Sequence, residues 1–401
     1  MRPGTPRLLR GINDRAALDL LLEHGPLSRG RLGALTGLSK PTASQLLSRL
    51  EAADLVVATG VSEGGRGPAA RLYEVNPGAA YVAALDVTPS RILAAVADVT
   101  GRVLGEHELR TPRGSGSAVD HVCSALDRAL AAPGLGREHL HQLVIGTPGA
   151  FDPGTRRLRY ARHLPGWHDQ HLLARLAEAT ATPVTAENDV NLAAVAEREA
   201  GGARGVDDFV LLWADEGLGA AIVIDGRLHT GASGGAGEVG FLPLPGVPVR
   251  RNVRRSNSAG FQELAGGTQV LALARSMGLR AGSAPVAVRR ALSTPGAGDR
   301  LLAELARRFA LGLASVVAVL DPALVVLGGG VLTAGGPRLL DLVREELVDL
   351  AVPRPRIALS GVPDRPVLTG ALHTALALTR DHVFDTLSPG EQHPTATRRQ
   401  P

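Results

Sequence analysis

Between Ser28 and Leu50 the chain carries two short amphipathic segments parted by Gly37, a spacing that predicts two helices packed across a tight turn. Ser28 is placed to cap the first helix, in which Leu32 and Leu35 make one apolar face. Ser39 is placed to cap the second. Pro41 is tolerated in its first turn because the N–H it lacks has no partner there. Ala43, Leu46, Leu47 and Leu50 repeat at helical spacing and predict a small core. Arg29, Ser39, Lys40, Thr42, Ser44, Gln45 and Arg49 are left as polar side chains that can reach base edges or phosphates in a major groove. A plain helical hairpin with a solvated face satisfies the same residues.

The segment after Leu50 narrows the choice. Residues 55–59 and 70–75 are β-prone and flank Ser62-Glu63-Gly64-Gly65-Arg66-Gly67-Pro68, a loop of turn formers. A two-stranded wing with Arg66 at its tip suits a minor groove or its phosphates, although a solvated loop arginine reads the same way. Helix, turn, helix and wing in this order predict a winged helix-turn-helix over residues 1–76, with double-stranded DNA as the partner.

Charge is divided in the same way. The formal net charge is +4; residues 1–76 hold ten Lys or Arg against seven Asp or Glu, leaving about +1 for the other 325 residues. Lys40 is the only lysine in the chain, a fact that an arginine-rich coding bias explains equally well. One cysteine, Cys123, excludes an internal disulfide and a thiolate metal cluster. Aromatic residues make up 3%, too few for a surface that stacks single-stranded bases. Residues 1–10 lack a signal-peptide pattern and no long apolar run comes after them, so a cytoplasmic protein with no membrane partner is expected.

Beyond Asn76-Pro77-Gly78, strand-like runs at 81–86, 92–99 and 142–145 are followed by helical patterns near 170–179 and 192–200. A second set at 209–213, 220–224 and 323–327 is interleaved with helical patterns at 261–277, 299–320 and 369–378. The expectation is two α/β lobes about a cleft: residues 79–187 with 368–386, and residues 188–367, followed by a disordered tail at 387–401.

In these loops the chain resembles the ROK family (repressor, open reading frame, kinase). The landmarks are the helix-turn-helix with its Gly-Gly-Arg-Gly-Pro wing, Gly146-Thr147-Pro148-Gly149, Leu164-Pro165-Gly166-Trp167, Glu187-Asn188-Asp189, Gly237-Glu238-Val239-Gly240 and Gly328-Gly329-Gly330, in an order that spans about residues 10 to 385. The resemblance implies an α+β multidomain chain: a winged helix-turn-helix followed by the two-lobed α/β actin-like ATPase fold of the family's sugar kinases.

Kinase chemistry in that family needs two glycine-rich phosphate cradles, and both depart from the pattern here. Asp86-Val87-Thr88-Pro89-Ser90 replaces a glycine with a side chain and deletes an N–H donor at Pro89. Asp215-Glu216-Gly217-Leu218-Gly219 puts two carboxylates where a triphosphate would lie. No nucleotide cofactor and no catalysis are therefore expected, against the alternative of a working ATP-dependent sugar kinase. The resemblance carries sugar contacts onto Asn188, Asp189, Glu238 and Glu263. Asn188 and Asp189 also suit a plain helix N-cap, and Glu263 a surface helix.

The histidine of the family's Gly-Glu-x-Gly-His motif is Phe241 here, and its three zinc cysteines fall at Arg254, Ser256 and Phe261. No metal is expected. Arg250, Arg251, Arg254 and Arg255 crowd the same loop, as a solvated run or a contact for an acidic effector group. The combined expectation is a transcriptional repressor, a homodimer or dimer of dimers, whose lobes sense a carbohydrate. The alternative is a regulator whose lobes serve as a dimerisation scaffold or take a phosphorylated or non-sugar ligand.

Overall fold

The computed structural model describes residues 6–62, 70–111, 117–151, 158–159, 164, 166–249, 251 and 259–385. Arg66, Arg250, Arg254, Arg255, Ser256 and the tail expected at 387–401 lie outside the described residues.

The N-terminal unit is built from α1 (Pro6–His24), β1 (Leu27–Ser28), α2 (Arg29–Thr36), α3 (Lys40–Ala52), β2 (Val56–Val61) and β3 (Arg71–Val75). Local chemistry sets its turns. The Ser28 hydroxyl accepts from the Arg31 N–H at 3.2 Å and starts α2, while Gly37 ends it in the left-handed region at φ +69°. Ser39 Oγ accepts from the Thr42 N–H at 3.4 Å and starts α3. The three strands pair antiparallel in the order β1-β3-β2. Leu18, Leu32, Leu46, Leu47 and Leu50 fill the interior, each contributing about 1.5–3 kcal/mol by leaving water.

That interior does not close by itself. Ala80, Val99 and Phe384, from the next domain, are members of the same cluster.

Two five-stranded sheets come next. The first comprises β4 (Tyr81–Val87), β5 (Arg91–Asp98), β6 (Val103–Arg110), β7 (Leu140–Thr147) and β10 (Val184–Asn188), ordered β10-β7-β4-β5-β6. Between β7 and β10 the two-residue strands β8 (Ala150–Phe151) and β9 (Leu158–Arg159) pair separately. The second sheet comprises β11 (Phe209–Ala214), β12 (Leu218–Ile224), β13 (Arg227–Leu228), β14 (Leu324–Gly328) and β15 (Arg356–Leu359), ordered β13-β12-β11-β14-β15. Each sheet is a three-strand antiparallel meander extended on its first strand by two parallel strands, so one topology occurs twice.

The first sheet packs α4 (Ala118–Ala131) and α5 (Leu172–Thr180) on one face. The second packs α8 (Gly267–Ser276), α9 (Ala284–Ala291), α10 (Ala297–Leu320) and α11 (Gly329–Leu350), with the one-and-a-half-turn α7 (Gly260–Ala265) beside them.

Two helices join the lobes. α6 (Asp189–Ala200) turns Leu192 toward the first lobe and Val190, Ala193 and Ala194 toward the second. α12 (Pro366–Asp385) crosses α6 so closely that a Cβ on Gly370 would lie 1.8 Å from the Leu192 carbonyl oxygen. Both passages of the chain between lobes meet at buried Glu197. Its carboxylate accepts from the N–H groups of Gly202 (2.8 Å), Gly361 (3.1 Å) and Val362 (3.2 Å), and from the Ser360 hydroxyl. The far end of α12 reaches the winged helix, where Asp381 pairs with Arg15 at 2.9 Å and the Arg15 guanidinium lies 5.4 Å from the Phe384 ring centroid.

Among the described residues, no helix is long and apolar enough to cross a membrane.

Candidate functional sites in the recognition helix and the cleft

On α3 the apolar stripe faces inward, and Lys40, Pro41, Thr42, Gln45 and Ser48 are exposed. Ser44 is half-buried and receives a hydrogen bond from Arg29 Nη1 at 3.0 Å, so Arg29 of α2 and the middle of α3 form one polar surface. Ser39 acts first as the cap, its hydroxyl also 2.8 Å from Thr42 Oγ1. Arg49, expected in the groove-facing set, donates to buried Asp14 at 2.6 Å and ties α3 to α1. Exposed Ser48 lies three residues after Gln45 on the same helix face.

The second site is the cleft between the lobes, of about 1340 Å³, ample for a sugar. Asn188, Asp189 and Glu238 line it together with Asp86, Asp215 and Trp167. Asn188 does the capping: its Oδ1 accepts from Val190 N–H (2.9 Å) and Asn191 N–H (3.1 Å), and its amide donates to the Gly149 carbonyl at 3.0 Å. Glu187 braces that turn by accepting from the Asn191 amide at 2.8 Å. The cap is thus complete without Asp189, whose carboxylate accepts from Val190 N–H at 2.9 Å and from its own N–H, and otherwise faces the cleft. Glu263 is not among the residues lining the cleft. Its neighbour Gln262 is, because one residue along a helix turns the side chain by about 100°. Gln262 Oε1 accepts from Leu218 N–H at 2.7 Å and its amide donates to Glu216 O at 3.1 Å.

Enclosure by both lobes pushes Asp189 up to about 6. Desolvation leads, the Val190 N–H opposes it, and the charges of Asp86 and Asp215 add to it. Glu238 is pushed up to about 7 by burial and then by Asp189. Asp86 is also raised by burial, against the pull of Arg91 at 3.4 Å. An acid whose pKa is higher folded than unfolded stabilises the fold while protonated, and that contribution is lost as pH rises through the folded value. Glu238→Gln is therefore expected to raise the thermal unfolding midpoint at pH 8, by on the order of 1–3 kcal/mol in stability, and to change little at pH 4. Equal shifts at both pH values would show that Glu238 carries no such penalty.

In both turns expected to cradle phosphate, some of the N–H groups are bonded within the protein. Thr88 N–H donates to Arg91 O at 2.9 Å, and Arg91 N–H donates to Thr88 Oγ1 at 3.2 Å. In the other turn, Asp215 N–H donates to Gly217 O at 3.0 Å, and Ala220 N–H to Gly237 O at 2.8 Å. The residues present do not fit a nucleotide triphosphate.

Nor do they fit the zinc of the resembled family at the two described positions. Phe241 and Phe261 offer no lone pair to a metal. Phe261 is fully buried, packs edge-on against Phe309 at 6.4 Å between centroids, and lies against Gly312, where a Cβ would lie 2.3 Å from its ring.

Residues 82–373 match the model of the ROK family. The chain belongs to the ROK family. Residues 13–67 match the model of the MarR family, over the winged helix. A protein of Caldicellulosiruptor sp. (strain Rt8B.4), assigned as a xylose repressor, is 24% identical over 396 residues, 92% of this chain and 96% of its own. The crystal structure of a ROK-family transcriptional regulator, a homologue of the E. coli MLC protein, matches with a TM-score of 0.74 at 20% identity, over 95% of this chain and 100% of that one. A ROK hexokinase from Thermus thermophilus matches with a TM-score of 0.63 at 29% identity, over 75% of this chain and 99% of its own. The architecture is a winged helix followed by the two-lobed actin-like ATPase fold, and the regulator shares it over nearly the whole chain.

Proposed function

We propose that this ROK-family chain is a DNA-binding repressor whose cleft senses a carbohydrate, acting without catalysis. The observation that carries the reading is the fusion of an exposed, capped recognition helix to lobes whose sugar-side carboxylates face the cleft while both phosphate turns spend N–H groups internally. Similarity over 92% of the chain to a protein assigned as a xylose repressor supports it and makes D-xylose the first sugar to test. A homodimer would set two recognition helices on a palindromic operator about 34 Å apart, and a sugar that closes the cleft would alter their spacing. An operator-binding role places the protein in the cytoplasm.

One reading competes: lobes that take no free sugar. Phe241 in the cleft and Glu263 outside it favour that alternative. A thermal-shift screen against free mono- and disaccharides, sugar phosphates and Mg-ATP separates them. A ligand bound only by the native state stabilises by about 2.7 kcal/mol at a hundredfold excess over Kd. A shift with a free sugar and none with Mg-ATP supports the sensor; silence from every free sugar supports the alternative; a shift with Mg-ATP restores the kinase.

On the DNA side, Gln45→Ala is expected to relax discrimination at particular operator positions by about 1–3 kcal/mol, measured against a library of operator variants. Equal weakening on every sequence would assign Gln45 to the phosphate backbone instead.

A further inference from the structure

At Gly328 strand β14 ends and the chain turns directly into α11. The first N–H groups of a helix have no partner within it and can draw an anion; here the first segment of α11 runs only to Gly335, because Gly336 at φ +56° breaks the helix. Gly329 sits at φ +82°, and a Cβ there would lie 2.4 Å from the Ala214 carbonyl oxygen, so this terminus is pressed against the end of β11. Gly328, at the cap position, has no side chain to offer.

Asp215, the first residue after β11, takes that part. Its two carboxylate oxygens lie 3.2 and 3.3 Å from where a Cβ on Gly330 would stand, and the Gly330 N–H donates to it. The turn holding Asp215 is braced through Gln262, which bonds both Leu218 N–H and Glu216 O. Exposed Glu216 adds a second negative charge beside it.

We propose that Asp215 is a built-in occupant of the anion position at the start of α11, and that it shuts nucleotide phosphates out of the second lobe. The inference rests on the reading that these lobes do not turn over ATP, and supplies a cause for it. An incoming phosphate would have to displace a carboxylate already held by Gly330 and approach Glu216 at the same time. The cleft itself has room; its anion position is taken by the chain.

The experiment is binding of Mg-ATP and Mg-ADP to the full chain by isothermal titration calorimetry, comparing wild type with Asp215→Gly and Asp215→Asn. Binding to Asp215→Gly is expected to be at least about tenfold tighter than to wild type, with Asp215→Asn between them. Asp215→Asn keeps the size and an acceptor for Gly330 N–H, so it reads the charge alone should the glycine variant fail to fold by circular dichroism. If neither wild type nor either native variant binds measurably, the proposal is overturned and the non-catalytic reading stands. If wild type binds Mg-ATP as tightly as the variants, both fall.

Discussion

Asp189→Ala is expected to abolish the response of DNA affinity to sugar while leaving affinity in the absence of sugar unchanged. The two effects separate because the cap of α6 is made by Asn188, through Val190 N–H and Asn191 N–H, and survives the substitution. What is lost is a carboxylate enclosed by both lobes and held by the N–H groups of Val190 and Asp189 itself, and its penalty is already visible in a pKa pushed up to about 6. A buried acceptor in that state gains most from hydroxyl donors brought by a ligand. Anisotropy titrations of operator DNA, with and without whichever free sugar shifts the melting temperature, read both quantities. A response that persists in Asp189→Ala would move sensing away from this carboxylate. A variant that does not fold would show that Asp189 holds the helix after all.

The largest loss of stability is expected at Gly370, one turn along α12 from Val367 at the edge of the cleft. Gly370→Val would drive a branched side chain into the Leu192 carbonyl, where even a Cβ would stand 1.8 Å away. Backbone on both sides leaves no flexible side chain to yield, so α12 must lift off α6 and expose Val367, Leu368 and Ala371. A cost of about 3 kcal/mol or more is expected, enough to deplete soluble protein. Gly30→Ala is the control, since its Cβ would meet nothing within 4 Å and alanine favours a helix. Melting curves of the two variants test the pair; similar midpoints would mean that the α6–α12 crossing adapts.

The winged helix was legible because its signals are local: a serine cap, a glycine turn and a leucine repeat within one window. The lobes were legible as alternating strands and helices, with errors where long-range packing overrides local preference. β6 went unread because its edge position leaves Glu106 and Glu108 among its residues, which blurs an apolar run. α4 went unread despite its capping box of Ser117 and Asp120. The pattern at 261–277 read as one helix, whereas the chain breaks at Gly266 into α7 and α8.

α11 went unread as well: Gly335-Gly336-Pro337 interrupts its pattern, and the chain passes from one helical segment to the next through a kink at Gly336, whose φ of +56° is open to glycine. α12 runs to Asp385 because Asp381 and Phe384 find a partner in Arg15 of α1, at the opposite end of the sequence. In the cleft, Asn188, Asp189 and Glu238 stood in recognisable motifs. Gln262 did not, since its importance lies in bonds to a loop 44 and 46 residues away.

Phe384 and Val99 complete the interior of the DNA-reading unit from the far side of the domain boundary. The winged helix is consequently no detachable head on a string. Cut after Asn76, it would keep its groove-facing residues and lose part of the wall they are built on. Descent with change has to respect that seam: a new recognition surface can be drawn on α3 one residue at a time, but a transplanted head must bring along, or find waiting for it, the end of the last helix.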